Sequence, residues 1–190
     1  MSCHQQLTVS QWVRFYEGRG GNEYLEYVKD RYAPFICSIA KRIQPKDMVL
    51  EIGCGTATIT SILHQMFGGG VEAPYFVASD SDLQMLSMAC RRLNGLPRVS
   101  TVLLDCRQGT KYADFVHSHG LLEHFDDKTI RQIIRAHSYA RVQVHYVPGN
   151  YDKPSFGDER LMTVKQWQDI CQPNEVFTFN GGLDYGLVFR

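Results

Sequence analysis

Apolar positions along the chain alternate between two rhythms. Nearly continuous apolar runs of strand length occupy Met48 to Ile52, Tyr75 to Ser79, Val99 to Leu104, Ala113 to His117 and Arg141 to Val147. Runs of this kind suit parallel strands buried on both faces. Between them the spacing becomes helical. Ala57 to Phe67 carries Ile59, Ile62, Leu63, Met66 and Phe67, and Asp82 to Leu93 carries Leu83, Met85, Leu86, Ala89 and Leu93. Asp126 and Asp127 are placed to cap a helix running to about His137. Thr163 to Gln166 has capping-box spacing and opens a short helix to Cys171. Val176 to Phe179 and Tyr185 to Phe189 read as final strands around the hairpin connector Asn180 to Asp184.

Ahead of the first strand the pattern is helical and aromatic. Ser10 to Gly18 reads as a short helix with Trp12, Phe15 and Tyr16 along one side, broken by Gly18, Gly20, Gly21 and Asn22. A helix over about Glu23 to Ile43 follows, which Pro34 is expected to kink or split. Five strands alternating with helices, then a hairpin, imply a parallel sheet with helices on both faces and an antiparallel C-terminal end.

Composition narrows the class. The 190 residues make one domain of ordinary size, able to bury roughly 70% of the surface of the unfolded chain. Hydrophobic content of 44% with 21% charged residues is globular. Twenty basic residues cancel twenty acidic ones, which removes the electrostatic case for a nucleic-acid partner. No apolar run approaches the ~18 residues of a membrane span, and the polar start Met1 to Gln6 does not read as a signal peptide. Cysteines at 3, 37, 54, 90, 106 and 171 form no Cys-x-x-Cys pair and read as reduced thiols of a cytoplasmic protein.

The chemistry gathers where strands end. Glu51, Asp80 and Asp105 close the first three strands, and strand ends of an open α/β sheet line one crevice. Three carboxylates there disfavour an anionic ligand and suit a cationic one that carries hydroxyl donors. Glu51-Ile-Gly53-Cys54-Gly55-Thr56 then turns a strand into a helix. This motif resembles motif I of the class I S-adenosylmethionine (SAM) dependent methyltransferases, with Ala57 where the loop's last glycine is expected. The resemblance covers about Val49 to Val147. It implies a Rossmann-like three-layer α/β sandwich with a mostly parallel seven-stranded sheet and a C-terminal antiparallel hairpin. The chain is then a single domain over 1–190, with 1–45 as a helical extension over the cofactor site. The implied cofactor is SAM, held by Glu51, Gly53, Cys54, Gly55, Asp80, Ser81, Asp105, Cys106 and Ser118. Asp80 resembles the acceptor of both ribose hydroxyls, and Asp105, with Cys106, the residue that meets the adenine amino group.

The segment Ser118 to His124 resembles the stretch after the fourth strand that faces the methyl group. His119 and His124 are therefore candidate proton acceptors. A structural hydrogen bond is the alternative for His124, and buried strand histidines for His117 and His119. These three with Glu123 also invite a metal reading, but the expectation is a metal-independent enzyme. Tyr16, Tyr151, Phe156 and Arg160 are candidate acceptor contacts; packing competes for the N-terminal aromatics, and a solvated loop for Phe156 to Arg160. The substrate motifs of DNA, arginine and catechol methyltransferases are missing, so a small-molecule acceptor remains by elimination. The rivals are an NAD(P)-dependent oxidoreductase, disfavoured by Thr58 where a third glycine or alanine belongs, and a SAM-binding regulatory subunit without activity.

Overall fold

The computed structural model describes residues 9–17 and 22–190; Met1 to Gln6 and the helix-breaking Gly18, Gly20 and Gly21 lie outside the described residues. The first aromatic helix is α1 (Val9–Glu17). The long helix expected after it is split into α2 (Asn22–Arg31) and α3 (Ala33–Ala40). Pro34 has no N–H to return to the carbonyl of Asp30, so the helix breaks at Tyr32 and restarts with proline in its first turn.

The remaining elements are β1 (Met48–Ile52), α4 (Thr58–Phe67), β2 (Tyr75–Asp80), α5 (Leu83–Leu93), β3 (Val99–Leu103), β4 (Phe115–His119), α6 (Asp127–Ala136), β5 (Val142–Pro148), α7 (Val164–Cys171), β6 (Glu175–Phe179) and β7 (Asp184–Phe189). The capping residues act as their positions imply. Asp82 accepts from the N–H groups of Gln84 and Met85, Asp126 accepts from that of Thr129, and Thr163 and Gln166 cap one another.

All seven strands join one sheet in the order β3-β2-β1-β4-β5-β7-β6, with β7 antiparallel to both neighbours. The strand order reverses between β1 and β4, which puts the crevice beside their C-terminal ends. Strand parity then sorts side chains between two layers. Val49, Phe76, Phe115 and Val144 pack with α3 and α4, whereas Leu50, Ile52, Val116 and Val147 pack with α6 and α7. Trp167 of α7 is fully buried and donates its indole N–H to the Pro148 carbonyl at 3.2 Å.

One boundary differs in a way that matters to the site. The fourth strand was expected over Ala113 to His117, yet β4 runs to His119 because Ser118 and His119 pair with His145 and Tyr146 of β5. Ser118 and His119 are thus neighbours on a strand and face opposite layers.

Candidate functional site

The turn from β1 into α4 is built on left-handed backbone at alternate positions: Gly53 (φ 63°), Gly55 (φ 53°) and Ala57 (φ 54°). Ala57 adopts a conformation that disfavours any Cβ, at a cost of about 1–2 kcal/mol. Gly53 has a second reason to lack a side chain, since an added Cβ would meet Leu121 Cδ1 at 2.6 Å. The loop is tied to β2 by two bonds: Cys54 N–H donates to the Ser79 carbonyl at 2.8 Å, and Gly55 N–H to Asp80 Oδ2 at 2.9 Å.

The three strand-end carboxylates have different surroundings. Parity places Glu51 on the α4 side, where one oxygen accepts from Thr60 N–H (3.1 Å) and Thr60 Oγ1 (2.5 Å). Glu51 is almost wholly buried, and burial outweighs those bonds and raises its pKa to about 7. Asp80 is also raised by burial, against the bonds it accepts from the loop and from Asp82 N–H. Asp105 is clasped by the Arg107 guanidinium through both oxygens, and this hydrogen bonding lowers its pKa.

Glu51, Gly53, Cys54, Thr56, Thr58 and His119 line one small pocket together with Tyr16 of α1 and Tyr24 of α2. Its volume is about 20 Å³, space for about one water molecule. Tyr16 lies against the loop, its hydroxyl 3.4 Å from where a Cβ on Gly55 would stand. His119 stacks on Tyr146 (4.7 Å between ring centres) and meets the Tyr32 ring edge-on at 4.2 Å. Burial lowers its pKa to about 4, so the ring is neutral near pH 7, and Nε2 has no partner among the described residues. Thr58 opens α4 with its Oγ1 2.9 Å from that of Thr56.

Other expected residues lie apart from this pocket. Ser118, on the opposite layer, bonds His145 Nδ1 at 2.8 Å. Ser81 is exposed. Cys106 turns its carbonyl to His137 Nε2 at 2.9 Å. Tyr151 donates to Asp184 Oδ1 (2.6 Å) and accepts from Arg31 (2.7 Å). Phe156 packs between Trp12 and Phe15, at 4.7 and 4.4 Å between ring centres. Arg160 holds the Phe125 carbonyl (2.7 Å) and Asp127 (2.6 Å). His124 bonds Asp158 at 2.9 Å through Nδ1, with Trp12 edge-on at 5.2 Å.

Three contributors escaped sequence reasoning. Thr60 is found only once Glu51 is known to face α4. Asp184 looks like a turn residue but is fully buried and accepts from Arg31, Tyr146, Tyr151 and Asn180. Leu121 is signalled only by its contact across the loop with Gly53.

Residues 49–142 match the family model of a methyltransferase domain. No curated protein matches the chain. Among solved structures, a SAM-dependent methyltransferase from Aquifex aeolicus is 14% identical, with a TM-score of 0.64 over 88% of this chain and 97% of that one. Magnesium protoporphyrin IX methyltransferase from Synechocystis PCC 6803, with bound SAM, is 15% identical, with a TM-score of 0.61 over 97% and 84%. A protein of Pyrococcus horikoshii OT3 reaches a TM-score of 0.70 at 14% identity, over 93% and 98%. At such identities the likeness is one of fold.

Proposed function

We propose that this chain is a SAM-dependent methyltransferase that acts on a small-molecule acceptor, a reading supported by the match of residues 49–142 to a methyltransferase-domain model. The observation that carries the proposal is the small pocket that the glycine loop shares with His119, with Tyr16 and Tyr24 among its lining residues.

The donor set fits the cofactor. Asp80 is fixed by backbone donors, and a carboxylate has about four acceptor positions, so capacity remains for the two ribose hydroxyls. Glu51 lines the pocket with one oxygen committed to Thr60, which leaves the other for an ammonium group. Backbone at Gly53 and Gly55 admits close approach. Asp105, held by Arg107, stands in reserve for the adenine amino group. When bound, SAM supplies a sulfonium methyl that a nucleophile takes by in-line displacement, the carbon–sulfur bond breaking as the new bond forms.

The chain contributes approach and orientation. His119, packed by Tyr32 and Tyr146, holds a neutral imidazole beside the glycine loop, where it takes a hydrogen bond from the acceptor and, for a protic nucleophile, its proton. A pocket of about 20 Å³ is far below the ~300–1,000 Å³ of ligand sites. For the cofactor to enter, Tyr16 would have to withdraw from Gly55.

The test is to incubate the purified chain with methyl-labelled SAM and a fractionated cell extract. Label in low-molecular-mass products supports the proposal. Label confined to protein or nucleic acid, with none in small molecules, overturns it.

A further inference from the structure

Outside the pocket, Glu123, His124 and Glu159 offer two carboxylate oxygens and a ring nitrogen that lie within 4.8 Å of one another. We propose that these three residues bind a divalent first-row cation at the acceptor end of the site. Two chain segments make the cluster. Glu123 and His124 sit in the 3₁₀ turn Leu122–His124 after β4, and Glu159 in the loop after β5. Arg160 N–H donates to the Glu123 carbonyl at 3.0 Å, which pins the second segment to the first.

Three further observations point to a cation. Glu123 is 1% exposed, and its Oε2 has no hydrogen-bond partner among the described residues, a costly condition that a bound cation relieves. Asp158 and Glu159 add to Glu123, yet no lysine or arginine among the described residues pairs with any of them. The nearby Arg160 is committed to Asp127. His124 is also held as a metal-binding imidazole usually is, with Asp158 on Nδ1 to set ring orientation and tautomer. Ser155 bonds both oxygens of Glu159 at 2.7 Å and fixes that carboxylate in turn.

Two carboxylates and one imidazole suit Mn²⁺, Fe²⁺ or Zn²⁺ and leave positions open for other ligands. Trp12 touches His124 and stacks on Tyr16 of the pocket lining, so the ion would lie beside the acceptor space. An acceptor with a hydroxyl or carboxylate oxygen fills an open position there. That use rests on the methyl-transfer reading, whereas the ion site does not.

The test reads binding without SAM or acceptor. Metal-stripped protein is titrated with MnCl₂ and separately with ZnCl₂, by loss of the free Mn²⁺ electron paramagnetic resonance signal and by calorimetry. The expected result is one equivalent of either ion and a raised Tm. Glu123→Gln and His124→Asn, shown to be folded by circular dichroism, should each bind at least tenfold more weakly. Glu159→Gln gives a second reading from the other segment. Absence of stoichiometric binding, or binding undiminished in the folded variants, overturns the site. Failure to methylate any small molecule while ion binding persists would refute only the proposed acceptor.

Discussion

Tyr16 lies across Gly55, with its hydroxyl 3.4 Å from the position a Cβ on that glycine would take. On the proposed reading the ring occupies space that a cofactor at the glycine loop needs, and Trp12 is stacked on it at 6.3 Å. Entry of SAM should therefore disturb α1 and change Trp12 fluorescence. Tyr16→Ala removes the ring and should speed association in stopped-flow measurements, while Trp12→Phe should abolish the signal. An association rate unaltered by Tyr16→Ala, with constant Trp12 emission, would mean that α1 does not move.

Glu51 supplies a pH dependence. Its pKa in the folded protein is about 7, raised from 4.5 by burial. An acid so raised stabilises the fold fully below the unfolded value and loses that contribution as pH rises toward 7. Ligand binding runs the other way, because an ammonium group prefers the ionised carboxylate. SAM affinity should rise up to about tenfold per pH unit below pH 7 and level off above it, with proton release on binding. Glu51→Gln should bind weakly and almost independently of pH. Calorimetry in buffers of different ionisation enthalpy measures both.

Acid should unfold the protein through its strand histidines. Burial lowers His117 and His145 to about 3 and His119 to about 4, from 6.5. Between those values the unfolded chain binds protons that the folded one refuses, so stability falls as pH drops from 6.5 toward 4. His137, also lowered by burial, adds to this, while the carboxyls of Glu51, Asp80 and Glu123, raised by burial, oppose it. Denaturant midpoints measured from pH 8 to 4 should decline below 6.5; a flat profile would show these rings to be charged or solvated in the fold.

Backbone strain at Ala57 makes a fourth prediction. Its left-handed conformation is one glycine adopts freely, so Ala57→Gly should stabilise the protein by up to about 1 kcal/mol. The reverse change, Gly53→Ala, meets both a positive φ and Leu121 and should destabilise it by about 1–3 kcal/mol. Urea unfolding of the two variants measures both; equal stabilities would place the turn in another conformation.

Much of the architecture was legible because it rests on local signals. Apolar runs located the strands, Asp82, Asp126 and Thr163 marked helix starts, and Gly53 and Gly55 marked the turn. The end of β4 was not legible, since pairing of Ser118 and His119 with β5 is a long-range choice that no window of sequence contains. That shift of two residues turned Ser118 away from the pocket. The partners of functional groups were hidden for the same reason. Thr60 reaches Glu51 across a strand–helix packing interface, Arg107 captures Asp105 only by the turn between them, and Glu159 meets Glu123 from a loop 36 residues on. Motifs identify strand ends; which side chains meet there is decided by packing.

The most direct test of the account is calorimetric titration of the purified protein with SAM, beside Asp80→Asn. Asn at 80 keeps the bond from Gly55 N–H but removes the charge proposed to meet the ribose. The account predicts one-to-one binding that weakens roughly ten- to a hundredfold in the variant, as expected for loss of a charge-assisted contact. Loss of the weaker backbone bond should lower Tm by only about 2–4 °C. Tight binding of NADH with none of SAM, or equal SAM affinity in both proteins, would contradict it.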